Sequence, residues 1–145
     1  MTIDGDYLPS PHEWVRKHVD NIAESGTTTV ATIMGRPVVL VTMRAARSGK
    51  VRKVPVMRVE HDGTYAVVAS QGGAPTHPAW YFNLKANPTV TLQDDRDVHT
   101  YVARELEGAE RALWWERAVA AYPDYADYQL KTTRLIPVLV LERAD

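Results

Sequence analysis

The run VPVMRVEHDGTYAVVAS, residues 54–70, decides the fold. It is rich in Val and carries Tyr65, and Asp62-Gly63 interrupts it at its centre. β-branched and aromatic residues favour strands, and Asp-Gly favours the tight turn that reverses one strand into the next. The run therefore predicts two strands joined as a hairpin. Upstream, AARSGKVRK (45–53) predicts a turn with Ser48-Gly49 at its tip. GRPVVLVTMR (35–44) is apolar through its centre and predicts a strand buried on both faces. Downstream, ASQGGAPTHPAWYFNLKANP (69–88) predicts a strand end, a broken loop and a short helix over Pro78–Ala86, with Asn87-Pro88 as its stop.

The same reading extends to both ends of the chain. Trp14, Val15, His18, Val19 and Ile22 fall on one face of a helix over 11–25 that Ser25-Gly26 stops. Strands are expected over 89–93 and 98–106, around the acidic turn DDRD. Helices are expected over 109–122 and 123–131, and a strand over 134–143 closes the chain. About six strands in meander order, with inserted helices, predict an α+β protein built on a mostly antiparallel barrel. With 145 residues and no linker or low-complexity tract, a single domain over 1–145 is expected, with 1–34 as N-terminal helix and lead-in and 35–145 as the barrel.

Net charge is −1, but the charge is unevenly placed. Arg36, Arg44, Arg47, Lys50, Arg52, Lys53 and Arg58 lie between Glu24 and Glu60 with no acid among them. A local positive field inside a near-neutral protein suits one small anionic ligand better than a nucleic acid. There is no cysteine, which excludes disulfides and a Cys nucleophile and agrees with a cytoplasmic setting. No apolar run approaches the ~20 residues that span a bilayer, and the N-terminus does not read as a secretory signal. The five histidines lack metal-ligand spacing, so no metal is expected. No G-x-S-x-G elbow or phosphate-binding G-x-x-x-x-G-K-[ST] loop occurs, so hydrolase and NTPase chemistry have no support.

Three groups of residues could carry function. Arg47 and Arg52 flank a Ser-Gly tip, where guanidinium forks and turn amides can cradle a phosphate or carboxylate. Ser70 and Gly72-Gly73 allow close approach of a flat ligand, and the helix beginning near Pro78 turns its positive end toward them. Trp80 and Leu84, four residues apart, read equally well as core. Tyr122, Tyr125 and Tyr128 share one helical face, as a packed aromatic stripe or as a pocket wall.

RSGKVRKVPV, DGTYAVVASQGGAPTHPAWYFNLKANPTVTLQ and AAYPDYADYQLKTTRLIPVLVLE occur in this order, within Val38 to Glu142. Together they resemble the actinobacterial deazaflavin-dependent nitroreductase family, and MRVEHDGTYAVVAS is most similar to its F-420-dependent reductase A branch. The resemblance implies a split β-barrel of the FMN-binding type and a coenzyme, F-420, an 8-hydroxy-5-deazaflavin with an anionic phosphate and oligoglutamate tail. Carried over by position, Arg47, Ser48, Gly49 and Arg52 match the phosphate and tail contacts. Pro55, Met57, Ser70, Gln71, Ala79, Trp80 and Asn83 match positions around the ring, and Tyr122, Tyr125 and Tyr128 match the substrate side. Ala45 and Ala46 stand where the family usually has Gly and Arg. Gln71 and Met57 replace the Lys and Tyr of the nitroreductase, which weakens the case for a nitroimidazole substrate more than for the coenzyme.

The implied activity is hydride transfer from reduced F-420 to an electron-poor acceptor such as an enone, quinone or nitro compound, with Tyr125 or Ser70 as proton donor or oxyanion stabiliser. The alternative is a non-catalytic split barrel that carries deazaflavin, flavin or haem. Expected partners are the coenzyme and a small acceptor, with no nucleic acid. A homodimer and a weak membrane-surface contact of the N-terminal helix are left open.

Overall fold

The computed structural model describes Ile3 and residues 5–145. The strands are β1 (Thr32–Ile33), β2 (Arg36–Arg44), β3 (Val51–Met57), β4 (Glu60–His61), β5 (Thr64–Val68), β6 (Thr89–Asp94), β7 (Asp97–Glu105) and β8 (Val138–Arg143). The helices are α1 (Glu13–Ser25), α2 (Ala79–Ala86), α3 (Gly108–Ala121) and α4 (Asp124–Leu130). All ladders between these strands are antiparallel, and the sheet runs β1-β2-β6-β7-β8-β5-β4, with β3 on β2.

The expected hairpin over 54–70 is correct at its turn and different in its first arm. Asp62 and Gly63 have φ of 51° and 81°. Both central residues are thus left-handed, as a two-residue turn between right-twisted strands requires. Only Glu60 and His61 pair with β5. The preceding arm, β3, pairs instead with β2, from Val38↔Met57 to Arg44↔Val51. The change of partner occurs at Arg58-Val59: the Arg58 N–H donates to Pro37 O at 3.0 Å, while Val59 O accepts from the Ala66 N–H at 2.8 Å. A strand that leaves one edge of a sheet and joins the other closes the sheet on itself. The side chain of Arg58 fixes this corner, donating to Asp94 Oδ2 at 2.9 Å, and the same oxygen accepts from Tyr65 Oη at 2.5 Å.

Side-chain parity separates the core into three parts, because successive residues of a strand face opposite sides. Val39, Val41 and Met43 of β2 point inward with Tyr65, Val67, Val90, Leu92, Tyr101, Leu139 and Leu141, and Leu84 of α2 joins them. The alternate β2 residues Val38 and Leu40 lie beneath Val15, Val19 and Ile22 of α1. Ala66 and Val68 of β5 and Val138 and Val140 of β8 lie beneath Trp114, Ala118, Tyr122 and Tyr125 of the α3–α4 layer, together with Met57.

Other boundaries shift by a few residues for identifiable reasons. Pro78 caps α2 rather than opening it. A 3-10 turn over Gln71–Gly73 precedes it. β8 begins at Val138 and not at Arg134, because Pro137 O accepts from the Ala69 N–H and the residues before it bond to α4 and to the loop after β5. Among the described residues no helix is long and apolar enough to cross a membrane.

Candidate active site

The turn between β2 and β3 carries Arg47, Ser48 and Gly49, and its backbone is tied to α2. The Ala46 N–H donates to Asn83 Oδ1 at 2.9 Å, and Asn83 Nδ2 lies 3.9 Å from Met43 Sδ. Asn87, one turn further along, donates from Nδ2 to Arg44 O at 3.3 Å. Within the turn, Ser48 Oγ accepts from the Lys50 N–H at 3.2 Å. Arg52 stands opposite Met43 in the ladder and so shares its face. The structure thus gathers Arg47, Ser48, Gly49, Arg52 and Asn83 at one end of the barrel, beside Ala79 and Trp80 on the first turn of α2. Trp80 is half-buried against the inner cluster.

Among the described residues, Arg47, Lys50 and Arg52 have no carboxylate within ion-pair distance. Cations held on an ordered turn without a counter-ion fit a phosphate or carboxylate tail. The donor set present therefore suits the anionic part of F-420.

The loop after β5 is held from behind by a residue that sequence reasoning missed. Arg134 donates to Ala69 O (3.1 Å), Ser70 O (2.7 Å) and Ala74 O (2.8 Å), and its Nη1 lies 2.9 Å from His77 Nδ1. Ser70 is buried, whereas Gln71 and Gly72 are exposed. A close approach does occur at Gly73, but its partner is protein: a Cβ there would lie 2.8 Å from Tyr128 O. A Cβ on Gly72 would meet nothing within 4 Å, so the open space beside this loop is at Gly72.

Pro55 and Met57 project from the opposite face of β3 to Arg52, since they differ from it by an odd number of residues. Met57 packs in the cluster that contains Tyr122 and Tyr125. The three tyrosines contact one another, with Tyr122–Tyr125 ring centroids 5.1 Å apart and Tyr122 Oη 2.8 Å from Tyr128 Oη. Tyr122 and Tyr125 are buried and Tyr128 is half-buried, so the spacing produces a packed stripe whose outer member reaches the surface. Burial pushes the Tyr125 phenol well above the usual phenol range. The bond to Tyr128 does the same for Tyr122. On α2 itself, burial and a 2.7 Å bond to Glu105 Oε1 push Tyr81 up to about 12. A separate cavity of about 380 Å³ lies over the outer face of β2, β3 and β6, lined by Tyr7, Leu40, Thr42, Lys53 and Thr91 among others. None of the expected coenzyme residues lines it.

The family model that matches residues 14–143 is that of the F-420H(2)-dependent quinone reductases. A Mycobacterium tuberculosis protein bearing that name is 38% identical over 105 residues, covering 72% of this chain and 88% of its own. A solved F-420-H2 dependent reductase, FDR-A, is 59% identical, with TM-score 0.70 over 77% of this chain and 99% of that one. A second structure, described as a domain-swapped dimer, is 57% identical, with TM-score 0.73 over 92% and 100%. At 15% identity and TM-score 0.55, an FAD-binding protein of Mesorhizobium loti shares the split-barrel fold alone, over 86% of this chain and 88% of its own. The chain belongs to the F-420H(2)-dependent quinone reductase family, and it is an oxidoreductase that uses the deazaflavin coenzyme F-420.

Proposed function

We propose that the natural acceptor is a quinone-type molecule and that the three residue groups divide the work. Arg47, Ser48, Gly49 and Arg52 bind the phosphate and tail of the coenzyme. Ser70, Gln71, Ala79, Trp80 and Asn83 surround its ring and side chain, with Pro55 and Met57 on the flank toward the tyrosines. Tyr122, Tyr125 and Tyr128 form the acceptor side. The observation that carries this reading is that Arg47, Lys50 and Arg52 have no carboxylate partner among the described residues, on or beside a turn whose backbone Asn83 ties to α2.

Bound F-420 supplies the hydride. The protein's part is placement, since holding donor and acceptor in reacting geometry removes much of the barrier. A proton must accompany the hydride. The Tyr125 phenol, kept protonated by burial, or the Ser70 hydroxyl of the loop would hydrogen-bond the acceptor oxygen and pass it the proton, regained from solvent.

Fluorescence titration with F-420 tests the first step, and no binding at micromolar concentration sinks the assignment of the turn. Following the oxidation of reduced coenzyme with quinones, enones and nitro compounds tests the second. Binding without turnover on any of them would instead make the protein a carrier. The domain-swapped relative supports a homodimer, which sedimentation measures directly. Trp14, 53% exposed on α1 beside Lys17, supports a weak contact with a membrane surface from the cytoplasmic side, testable by vesicle flotation.

A further inference from the structure

We propose that Arg134 is a positioning residue that pins the Ser70–Ala74 loop in the form to which the coenzyme binds. The inference rests on the reading that this loop meets the deazaflavin ring.

The loop needs holding. Gln71, Gly72 and Gly73 have φ of 44°, 63° and 83°, three left-handed residues in succession. Gln71 carries a Cβ, and within the turn its carbonyl gains only the Ala74 N–H at 3.1 Å, as Ser70 O gains the Gly73 N–H at 2.9 Å. Two bonds of one tight turn are little against three left-handed residues, so contacts from outside the loop must help to impose them. Arg134 does this with a single group. Its guanidinium reaches the last residue before the loop, both ends of the loop and the residue that precedes Pro78 at the start of α2. Those contacts span 57 to 65 positions in sequence. No carboxylate accompanies this cation among the described residues. Its charge is spent on carbonyls and on His77, and burial draws its pKa below the usual guanidinium range. Because His77 Nδ1 receives an N–H of Arg134, the imidazole proton belongs on Nε2.

Arg134 is itself set by the tyrosine helix. Gln129 of α4 donates from Nε2 to Arg134 O at 2.8 Å, and its Oε1 accepts from the Ile136 N–H at 2.9 Å. The acceptor side, the loop and the start of α2 are thus joined through one side chain. Lysine could not replace it, since an ammonium presents its donors from a single point and not from a planar fork.

The test compares Arg134→Ala, Arg134→Lys, His77→Asn and His77→Leu with the wild-type protein. In coenzyme-free protein, amide hydrogen exchange over 69–77 should quicken about tenfold or more in Arg134→Ala, while β7 and β8 amides keep their rates. The F-420 dissociation constant should rise roughly tenfold in both Arg134 variants, the equivalent of ordering about one backbone residue on binding. Added guanidinium ion should restore affinity to Arg134→Ala. His77→Asn, which keeps an acceptor near the Nδ1 position, should bind more tightly than His77→Leu. Wild-type affinity in a folded Arg134→Ala protein overturns the proposal. So does faster exchange spread evenly over the barrel, which would mark a general structural role. Failure of the wild-type protein to bind F-420 would refute the functional reading and the coenzyme half of this inference, while the exchange data still decide whether Arg134 pins the loop.

Discussion

Gly72 and Gly73 are neighbours with positive φ, but only one is constrained by what surrounds it. A Cβ on Gly73 would lie 2.8 Å from Tyr128 O and 3.0 Å from Lys131 Cβ, with backbone on one side that cannot give way. Gly73→Ala should therefore lose about 3 kcal/mol in urea denaturation, combining left-handed strain with a displaced α4. Gly72→Ala meets nothing within 4 Å and should lose only the ~1–2 kcal/mol of the left-handed conformation. Equal losses would show that α4 moves freely. Arg52 presents the opposite case, a residue whose removal should leave stability alone. It has no carboxylate partner among the described residues, and its face is that of Met43 beside Asn83. Arg52→Ala should raise the F-420 dissociation constant about tenfold to a hundredfold, the worth of one charge-assisted contact. It should also flatten the salt dependence of binding. A constant that does not move takes Arg52 out of the site.

At the scale of elements, the division between what was and was not legible follows sequence distance. The Asp62-Gly63 turn, the end of α1 at Gly26 and the stripe of tyrosines from the end of α3 through α4 depend on neighbours within a few residues, so their patterns are readable. The link from Asn83 to Ala46 spans 37 residues, and the partner change at Arg58-Val59 depends on which strand lies alongside. Local pattern cannot express either. The +7 segment raises the expectation of an anion site, and the structure adds that Asn83 of α2 accepts from the Ala46 N–H of its turn. Asn83→Ala tests that addition: the Ala46 amide loses its acceptor, stability should fall by about 1 kcal/mol, and coenzyme affinity should fall with it, read in one titration and one melt. The tyrosines show the reverse limit, since spacing placed them on one face but could not tell packing from lining. The Tyr125 phenol has no hydrogen-bond partner among the described residues. Tyr125→Phe should accordingly preserve stability and F-420 affinity and lower turnover. A change in affinity alone would assign Tyr125 to the coenzyme instead.

For the whole molecule, the corner that closes the barrel and the basic turn proposed to bind the coenzyme sit at opposite ends of β2. Arg58 meets the chain at Pro37, while the basic turn begins after Arg44. Seven residue steps of strand separate them, about 23 Å at the usual rise. Asp94 is the common point of the closing corner, where Arg58 from the bend and Tyr65 from β5 both donate to Oδ2. Tyr65 is 7% exposed, and burial followed by the Asp94 bond raises its phenol far above the usual range, so it remains a donor throughout the accessible pH range. Asp94→Ala would leave a buried hydroxyl and a half-buried guanidinium without their acceptor. The expected loss is about 2–4 kcal/mol, because an orphaned buried donor forfeits its full desolvation cost. Asp94→Asn keeps the shape and one oxygen, and should lose about half as much. At 25 °C, in buffer where both variants remain folded, the F-420 dissociation constant should stay within about twofold of wild type, since sites more than ~10 Å apart with no shared partner behave additively. If Asp94→Ala instead weakens coenzyme binding in proportion to its loss of stability, the closing corner and the basic turn form one cooperative unit, and β2 transmits between them.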